Sequence, residues 1–221
     1  MLNTRRPASD GDCADVGIDV DWEYPGGNGD DYRRNPNSNK VSEIETYPLL
    51  LGEIKKALGR DNELSIAVPG LERDMIAYTA EQVPEIDKVV DFVNIMSYDL
   101  MNRRDNVTTH HTSLAGSLAG VDAYISRGLT ACKINLGFAF YAKWFATADG
   151  VNCSSTPIGC PTAVLEAADG SDTGKSGAMT FEASNFASVP ANLQDSPDGS
   201  CGSGTAYRCT ANACCGQYGF W

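Results

Sequence analysis

The chain has 221 residues, a hydrophobic fraction of 42% and a formal net charge of −12 at pH 7. This hydrophobic content is sufficient for a folded core, and the length predicts one domain with a small appendage. The excess of negative charge disfavours nucleic acids and membranes as partners, because anionic surfaces would repel the chain. The sequence contains no run of about 18 apolar residues. We expect a monomer that needs no cofactor and no metal ion.

The first predicted element of regular structure begins at Gly17. Residues 1–16 show no periodicity and are predicted to be disordered or non-native. From Gly17 to Glu23, apolar and acidic residues alternate, which predicts a β-strand. Pro25-Gly26-Gly27 ends this strand.

Helices and strands alternate over the next hundred residues. Ser42 and Glu45 have the spacing of a capping box at the start of the first helix, and Gly59 stops it. This alternation predicts βα units with a parallel sheet, and the apolar strands indicate a sheet that is covered on both faces. The predicted helices are 42–58, 80–87 and 114–127, and the predicted strands after the first are 64–68, 92–98 and 133–140.

The C-terminal third differs in composition. Residues 17–147 form the predicted α/β domain, 148–200 an insertion or linker with a short helix at 162–168, and 201–221 a cysteine-rich tail. The chain has eight cysteines, four of them in the last 21 residues. Cys153 and Cys160 are candidates for a disulfide, and such clusters are typical of secreted proteins. From the cysteines we expect that the parent protein is secreted. The first residues lack the apolar run of a signal peptide, and we expect an incomplete chain because that would explain the conflict.

Three carboxylates lie on one face of the first predicted strand. Asp19, Asp21 and Glu23 alternate with apolar residues and span about 13 Å of strand. Neighbouring carboxylates raise each other's pKa, and a carboxyl that stays protonated near neutral pH can act as a general acid. A solvated acidic face or a calcium site is the alternative interpretation.

This strand resembles the D-x-x-D-x-D-x-E signature of family 18 glycoside hydrolases, the chitinases. The resemblance implies that Glu23 is the general acid/base, that Asp21 orients the N-acetyl group of the substrate, and that Asp19 is the buried partner of Asp21. It also implies substrate-assisted catalysis, in which the acetamido oxygen attacks the anomeric carbon. The first aspartate of the signature falls at Val16, where this sequence departs from the pattern.

Two later segments extend the resemblance. Met96-Ser97-Tyr98-Asp99 is similar to the family's M-x-Y-D motif, which implies that Tyr98 contacts the acetamido oxygen and that Met96 and Asp99 line the site. Residues 137–144 resemble the family's G-x-x-F-Y-G-R segment, with Lys143 in place of arginine. By the same resemblance, the substrate-binding candidates also include Tyr24, Tyr141 and Trp144.

The tail resembles the first half of a hevein-like chitin-binding module. Gln217, Tyr218 and Phe220 match the sugar-contacting positions of that module. Its connectivity implies a disulfide between Cys201 and Cys215. A generic disulfide knot is the alternative.

The resemblance as a whole is to fungal chitinases of the class V type. It implies an α/β fold that forms part of a (β/α)₈ TIM barrel, about four of the eight βα units, followed by the cysteine-rich tail. The expected ligand is chitin or N-acetylglucosamine oligomers. A non-catalytic chitin-binding protein and an endo-β-N-acetylglucosaminidase that acts on glycans remain open alternatives.

Overall fold

The structure, a computed structural model, describes residues 17–180 and, outside that range, only the backbone of residues 2–4, 194–195 and 207–208. The chain divides into two compact units, Met1–Ala178 and Met179–Trp221. In the second unit, β8 (Gln194–Asp195) pairs in parallel with β9 (Tyr207–Arg208). Among the described residues, no helix has both the length and the apolar character needed to cross a membrane.

The first unit is built on a five-stranded sheet whose spatial order follows the chain order. Four neighbouring strands are parallel, and the first strand is antiparallel to the second. Four parallel strands joined by crossovers are consistent with the predicted part of a TIM barrel, about four of its eight βα units. The strands are β1 (Leu2–Thr4), β2 (Gly17–Asp21), β3 (Glu63–Pro69), β4 (Phe92–Met96) and β5 (Ile134–Leu136).

Three helices connect these strands, and a separate two-stranded sheet follows. Between the parallel strands run α1 (Val41–Leu58), α2 (Val83–Asp87) and α3 (Leu114–Ser126). After β5, the strand β6 (Tyr141–Phe145) pairs with β7 (Ser176–Thr180).

The start of α1 differs from the prediction. Lys40 precedes the helix without a side-chain cap, so the predicted capping box of Ser42 and Glu45 is wrong. The helix already includes both residues, and the backbone carbonyl of Ser42 accepts a hydrogen bond from the Thr46 hydroxyl. The predicted end at Gly59 is confirmed, with a φ of 81° that favours glycine.

Two predicted elements beyond β4 also need correction. The strand predicted at 133–140 is regular only to Leu136, because Gly137 approaches the Ile95 carbonyl and the ring of Tyr98. The helix predicted at 162–168 is wrong. That segment is extended, with bridges from Thr162 to Thr147 and from Glu166 to Asp172, because its carbonyl and amide groups pair with neighbouring loops instead of with one another.

The core lies between the helices and one face of the sheet. Alternate residues of β3 are fully buried there, together with three tyrosine side chains, and the partly buried Trp22 packs against them. The rings of Trp22, Tyr47, Tyr78 and Tyr124 meet edge to face in that order, with centroid separations of 5.7, 6.0 and 5.6 Å. The Tyr124 hydroxyl donates to the Pro69 carbonyl at 2.9 Å, which joins α3 to the end of β3. This face holds the strands in register and leaves the other face for polar side chains.

The segment between β6 and β7 is fixed by a disulfide and by a buried hydroxyl. Cys153 and Cys160 are joined. Thr108 is buried, and its hydroxyl donates to the Pro157 carbonyl at 2.6 Å and accepts from the Cys160 amide at 2.8 Å. The disulfide-closed turn is thereby attached to the loop that follows β4.

Helix α3 approaches the end of β3 through two glycines. A β-carbon on Gly120 would lie 2.8 Å from the carbonyl oxygen of Gly70, whereas a β-carbon on Gly52 of α1 would meet nothing within 4 Å. Only the absence of a side chain at Gly120 permits this contact.

We expect Gly120→Ala to destabilise the fold by about 1–3 kcal/mol, because the new methyl group would push against backbone that cannot yield easily. The matched control Gly52→Ala should instead stabilise it by about 0.5–1 kcal/mol, since alanine favours a helix interior. Urea denaturation followed by circular dichroism measures both changes. Equal effects of the two substitutions would contradict the packing argument.

Candidate functional site

The sheet face opposite the core carries a row of hydrogen-bonded polar side chains. The Asp19 carboxylate on β2 accepts from the Ser65 hydroxyl on β3 at 2.5 Å and from the Asn94 amide on β4 at 3.1 Å. The Asn135 amide on β5 donates to Asn94 at 3.2 Å. One side chain from each parallel strand therefore contributes to the row, and Asp19 is held at its acidic end.

Asp21 and Glu23 follow on the same face, toward the carboxyl end of the sheet. Strand alternation places Asp21 beyond Asp19 and directs Glu23, just past the end of β2, into a cleft of about 470 Å³. Tyr24, Tyr98 and Asp99 line the same cleft. Active sites of α/β barrels lie at this end of the strands.

Glu23 has the electrostatic environment of a general acid. The cleft walls desolvate its carboxyl, and this burial, followed by the negative charge of Asp21, raises its pKa above the usual value. A hydrogen bond from the Tyr24 hydroxyl acts in the opposite direction. The pKa of Tyr24 is itself raised, first by burial and then by the charge of Glu23. A raised pKa keeps the Glu23 carboxyl protonated over a wider pH range.

Tyr98 and Asp99 lie across the cleft, after β4. Burial, and then the charges of Asp21 and Glu23, raise the pKa of Tyr98, so its hydroxyl stays protonated and able to donate. Asp99 has a φ of 55°. Its carboxylate accepts from the Tyr141 hydroxyl at 2.7 Å and from the Lys143 ammonium at 2.8 Å. Both oxygens of Asp99 are therefore bound to residues of β6.

The other candidates lie outside the cleft lining. Met96 is half-buried at the end of β4, and Tyr141 reaches the cleft through Asp99. Trp144 is 44% exposed and packs against Gly177, on the opposite face of β6 from Lys143. The tail candidates fall outside the described residues: Cys201, Cys215, Gln217, Tyr218 and Phe220.

Sequence reasoning missed the basic side chains of the cleft wall and a histidine behind it. Arg103 and Arg104 both line the cleft. They form a basic pair shortly after the M-x-Y-D motif in a strongly acidic chain, and this pair could have indicated basic side chains at the site. His111 packs against the Tyr141 ring with its Nδ1 atom 3.7 Å from Asp99. No local pattern indicates that contact.

The chain is similar to a known protein family and to curated proteins. The model of the glycosyl hydrolases family 18 matches residues 15–212. "Endochitinase 1" of Metarhizium robertsii is 29% identical over 65% of this chain and 35% of its own length. Chitotriosidase-1 of Mus musculus is 28% identical over 66% of this chain and 34% of its own length. The chain thus spans about a third of the length of these curated relatives.

Solved structures support the fold. The catalytic domain 2 of the Ostrinia furnacalis group II chitinase superposes with a TM-score of 0.52 at 24% identity, over 66% of this chain and 39% of that one. The group IV chitinase of the same insect gives a TM-score of 0.52 at 25% identity, over 75% and 45%.

We expect Asp21→Asn to lower the pKa of Glu23, because removing a neighbouring negative charge favours the ionised form of the remaining carboxyl. An NMR titration of the labelled glutamate side chains measures this pKa directly. Glu53→Gln is the control, since Glu53 lies exposed on α1 and pairs with Lys56. An unchanged or raised Glu23 pKa in Asp21→Asn would contradict the proposed coupling.

Proposed function

Because the chain belongs to glycosyl hydrolase family 18, we propose that its cleft hydrolyses the β-1,4 linkages between N-acetylglucosamine units of chitin. The observation that carries this proposal is the Glu23 carboxyl, whose pKa is raised by burial and by Asp21 in a cleft at the carboxyl end of the parallel strands. A protonated carboxyl at such a position is suited to donate a proton to a glycosidic oxygen.

The first step of the proposed mechanism breaks the glycosidic bond. Glu23 gives its proton to the bridging oxygen, while the acetamido oxygen of the sugar attacks the anomeric carbon and closes an oxazolinium ring. Asp21 accepts a hydrogen bond from the acetamido N–H and so orients the nucleophile. The Tyr98 hydroxyl donates to the acetamido oxygen. No carboxylate of the protein becomes covalently bound to the sugar.

The second step returns the site to its starting state. The Glu23 carboxylate takes a proton from water, and the resulting hydroxide attacks the anomeric carbon and reopens the ring with net retention of configuration. Asp19 stays fixed by Ser65 and Asn94 during both steps. The proposal gives Asp19 the role of the partner beneath Asp21 on the same face of β2.

We expect Glu23→Gln to lower kcat on N-acetylglucosamine oligomers by roughly 10²–10⁴-fold, the contribution of a general acid/base, with little change in oligomer binding. Glu53→Gln, at an exposed site of α1, is the matched control. Chromatography of the products measures kcat, and calorimetry measures oligomer binding separately. Equal turnover in Glu23→Gln and wild type would overturn the assignment, and binding without turnover in the wild type would favour a non-catalytic chitin-binding protein.

We further propose that the chain is of the fungal class V chitinase type, that residues 201–221 act as a hevein-like chitin-binding segment, and that the parent protein is secreted. The support is the resemblance of Gln217, Tyr218 and Phe220 to the sugar-contacting positions of such modules. Aromatic rings there would stack on the sugar faces. The Cys153–Cys160 disulfide fits an oxidising compartment.

We expect Tyr218→Ala to reduce retention on chitin beads several-fold while turnover of short soluble oligomers stays unchanged, because the tail motif assigns Tyr218 to sugar stacking and gives it no part in the proposed chemistry. The control is Tyr207→Ala, an aromatic of the second unit that has no counterpart in the motif. A pull-down assay quantifies retention. Equal retention of Tyr218→Ala and wild type would contradict the proposal that the tail binds chitin.

A further inference from the structure

Three loops that are distant in sequence contribute to one wall of the cleft, which we call the three-loop wall. The loop after β2 contributes Asn28, Gly29 and Asp30, the loop after β4 contributes Arg103 and Arg104, and the segment before β7 contributes Asp172. None of these loops is part of the sheet, so the shape of the wall depends on contacts between them.

One carboxylate behind the wall joins all three loops. Glu166 has a side chain that is only 6% exposed and accepts a hydrogen bond from the Tyr32 hydroxyl. Its second oxygen accepts from Nε of Arg103 at 3.1 Å, and Nε of Arg33 lies 3.6 Å from the first. Glu166 also pairs through its backbone with Asp172 of the wall.

The groups around Glu166 extend these contacts to the wall itself. Arg103 reaches from Glu166 to Asp30, with a guanidinium-to-carboxylate distance of 3.1 Å. Arg104 stacks on the Tyr32 ring at 4.1 Å and donates to the carbonyls of Asn28 and Gly29 at 3.0 and 3.1 Å. Arg103 directly, and Arg104 through Tyr32, thus connect Glu166 to the wall residues.

Charge gives Glu166 a central place in this arrangement. The guanidinium groups of Arg33, Arg103 and Arg104 gather around one phenol ring and one buried carboxylate. Without that carboxylate, the like charges would repel one another, and Arg103 would lose a charged partner while it is largely desolvated. The loops would then separate.

We propose that Glu166 is a positioning residue that fixes the three-loop wall so that the cleft accepts an extended sugar oligomer. This role rests on the hydrolase function proposed above. Glu166 itself does not line the cleft, so its effect passes through Arg103, Tyr32 and Asp172. A residue of this kind changes substrate binding more than the chemical step.

We expect Glu166→Ala to raise KM for N-acetylglucosamine oligomers about tenfold while kcat changes by less than about twofold. Glu166→Gln, which keeps the hydrogen-bond acceptor without the charge, should give an intermediate KM. The control is Asp149→Asn, an exposed acid of the same segment, which should leave both constants unchanged. A fall in kcat at constant KM, or an unchanged KM, would overturn the proposal.

A second measurement tests the loops without activity. Trypsin cleavage after Arg33, Arg34, Arg103 and Arg104, mapped by mass spectrometry, should accelerate in Glu166→Ala relative to cleavage after Lys55, Lys56 and Arg60 of the α1 region. Uniform acceleration at all sites would mean global unfolding and would overturn the proposal, as would unchanged cleavage at the loops. If the wild type hydrolyses no oligomer, the proposed function fails, and the cleavage pattern still decides whether Glu166 holds the loops.

Discussion

The parallel register of β2, β3 and β4 is the constraint on which the cleft depends. Asp19 on β2 pairs with Ser65 on β3, and Asp21 pairs with Ala67. Ala67 in turn pairs with Asn94 on β4. A shift of one residue would exchange the two faces of β2, so that the acids would point into the core and Ile18 and Val20 would point into the cleft. The aromatic and aliphatic packing behind the sheet therefore determines the chemistry in front of it.

Much of this arrangement could be predicted from sequence because it depends on local periodicity. Alternation identified the acid face of β2, and the apolar runs identified β3 and β4. The predictions failed where distant contacts decide the structure. Residues 162–168 have a composition compatible with a helix, yet they are extended because the amides of Thr162 and Ala163 donate to the carbonyls of Asn106 and Ala146. Likewise, β5 ends early because Gly137 packs against the neighbouring strand end.

The residues in and around the cleft also divide into those that the sequence predicts and those that only the fold brings together. Glu23, Asp21 and Tyr98 belong to short motifs, and their positions follow from strand ends. Glu166 and Tyr32 are 134 residues apart and share no pattern, so only the folded chain brings them together. Residues that carry chemistry tend to be recognisable in sequence, whereas residues that hold loops in place are defined by three-dimensional contacts.

The aromatic row in the core has a consequence for spectroscopy. Trp22 lies between Asp21 and Glu23 in the chain, yet its indole packs against the core, edge to face with Tyr47 at a centroid distance of 5.7 Å. At such separations, excitation energy absorbed by tyrosine passes efficiently to an indole. Light absorbed by Tyr47, Tyr78 and Tyr124 therefore reaches Trp22, and the tyrosine-sensitised emission of Trp22 reports whether the helices still cover the strand that bears the acids.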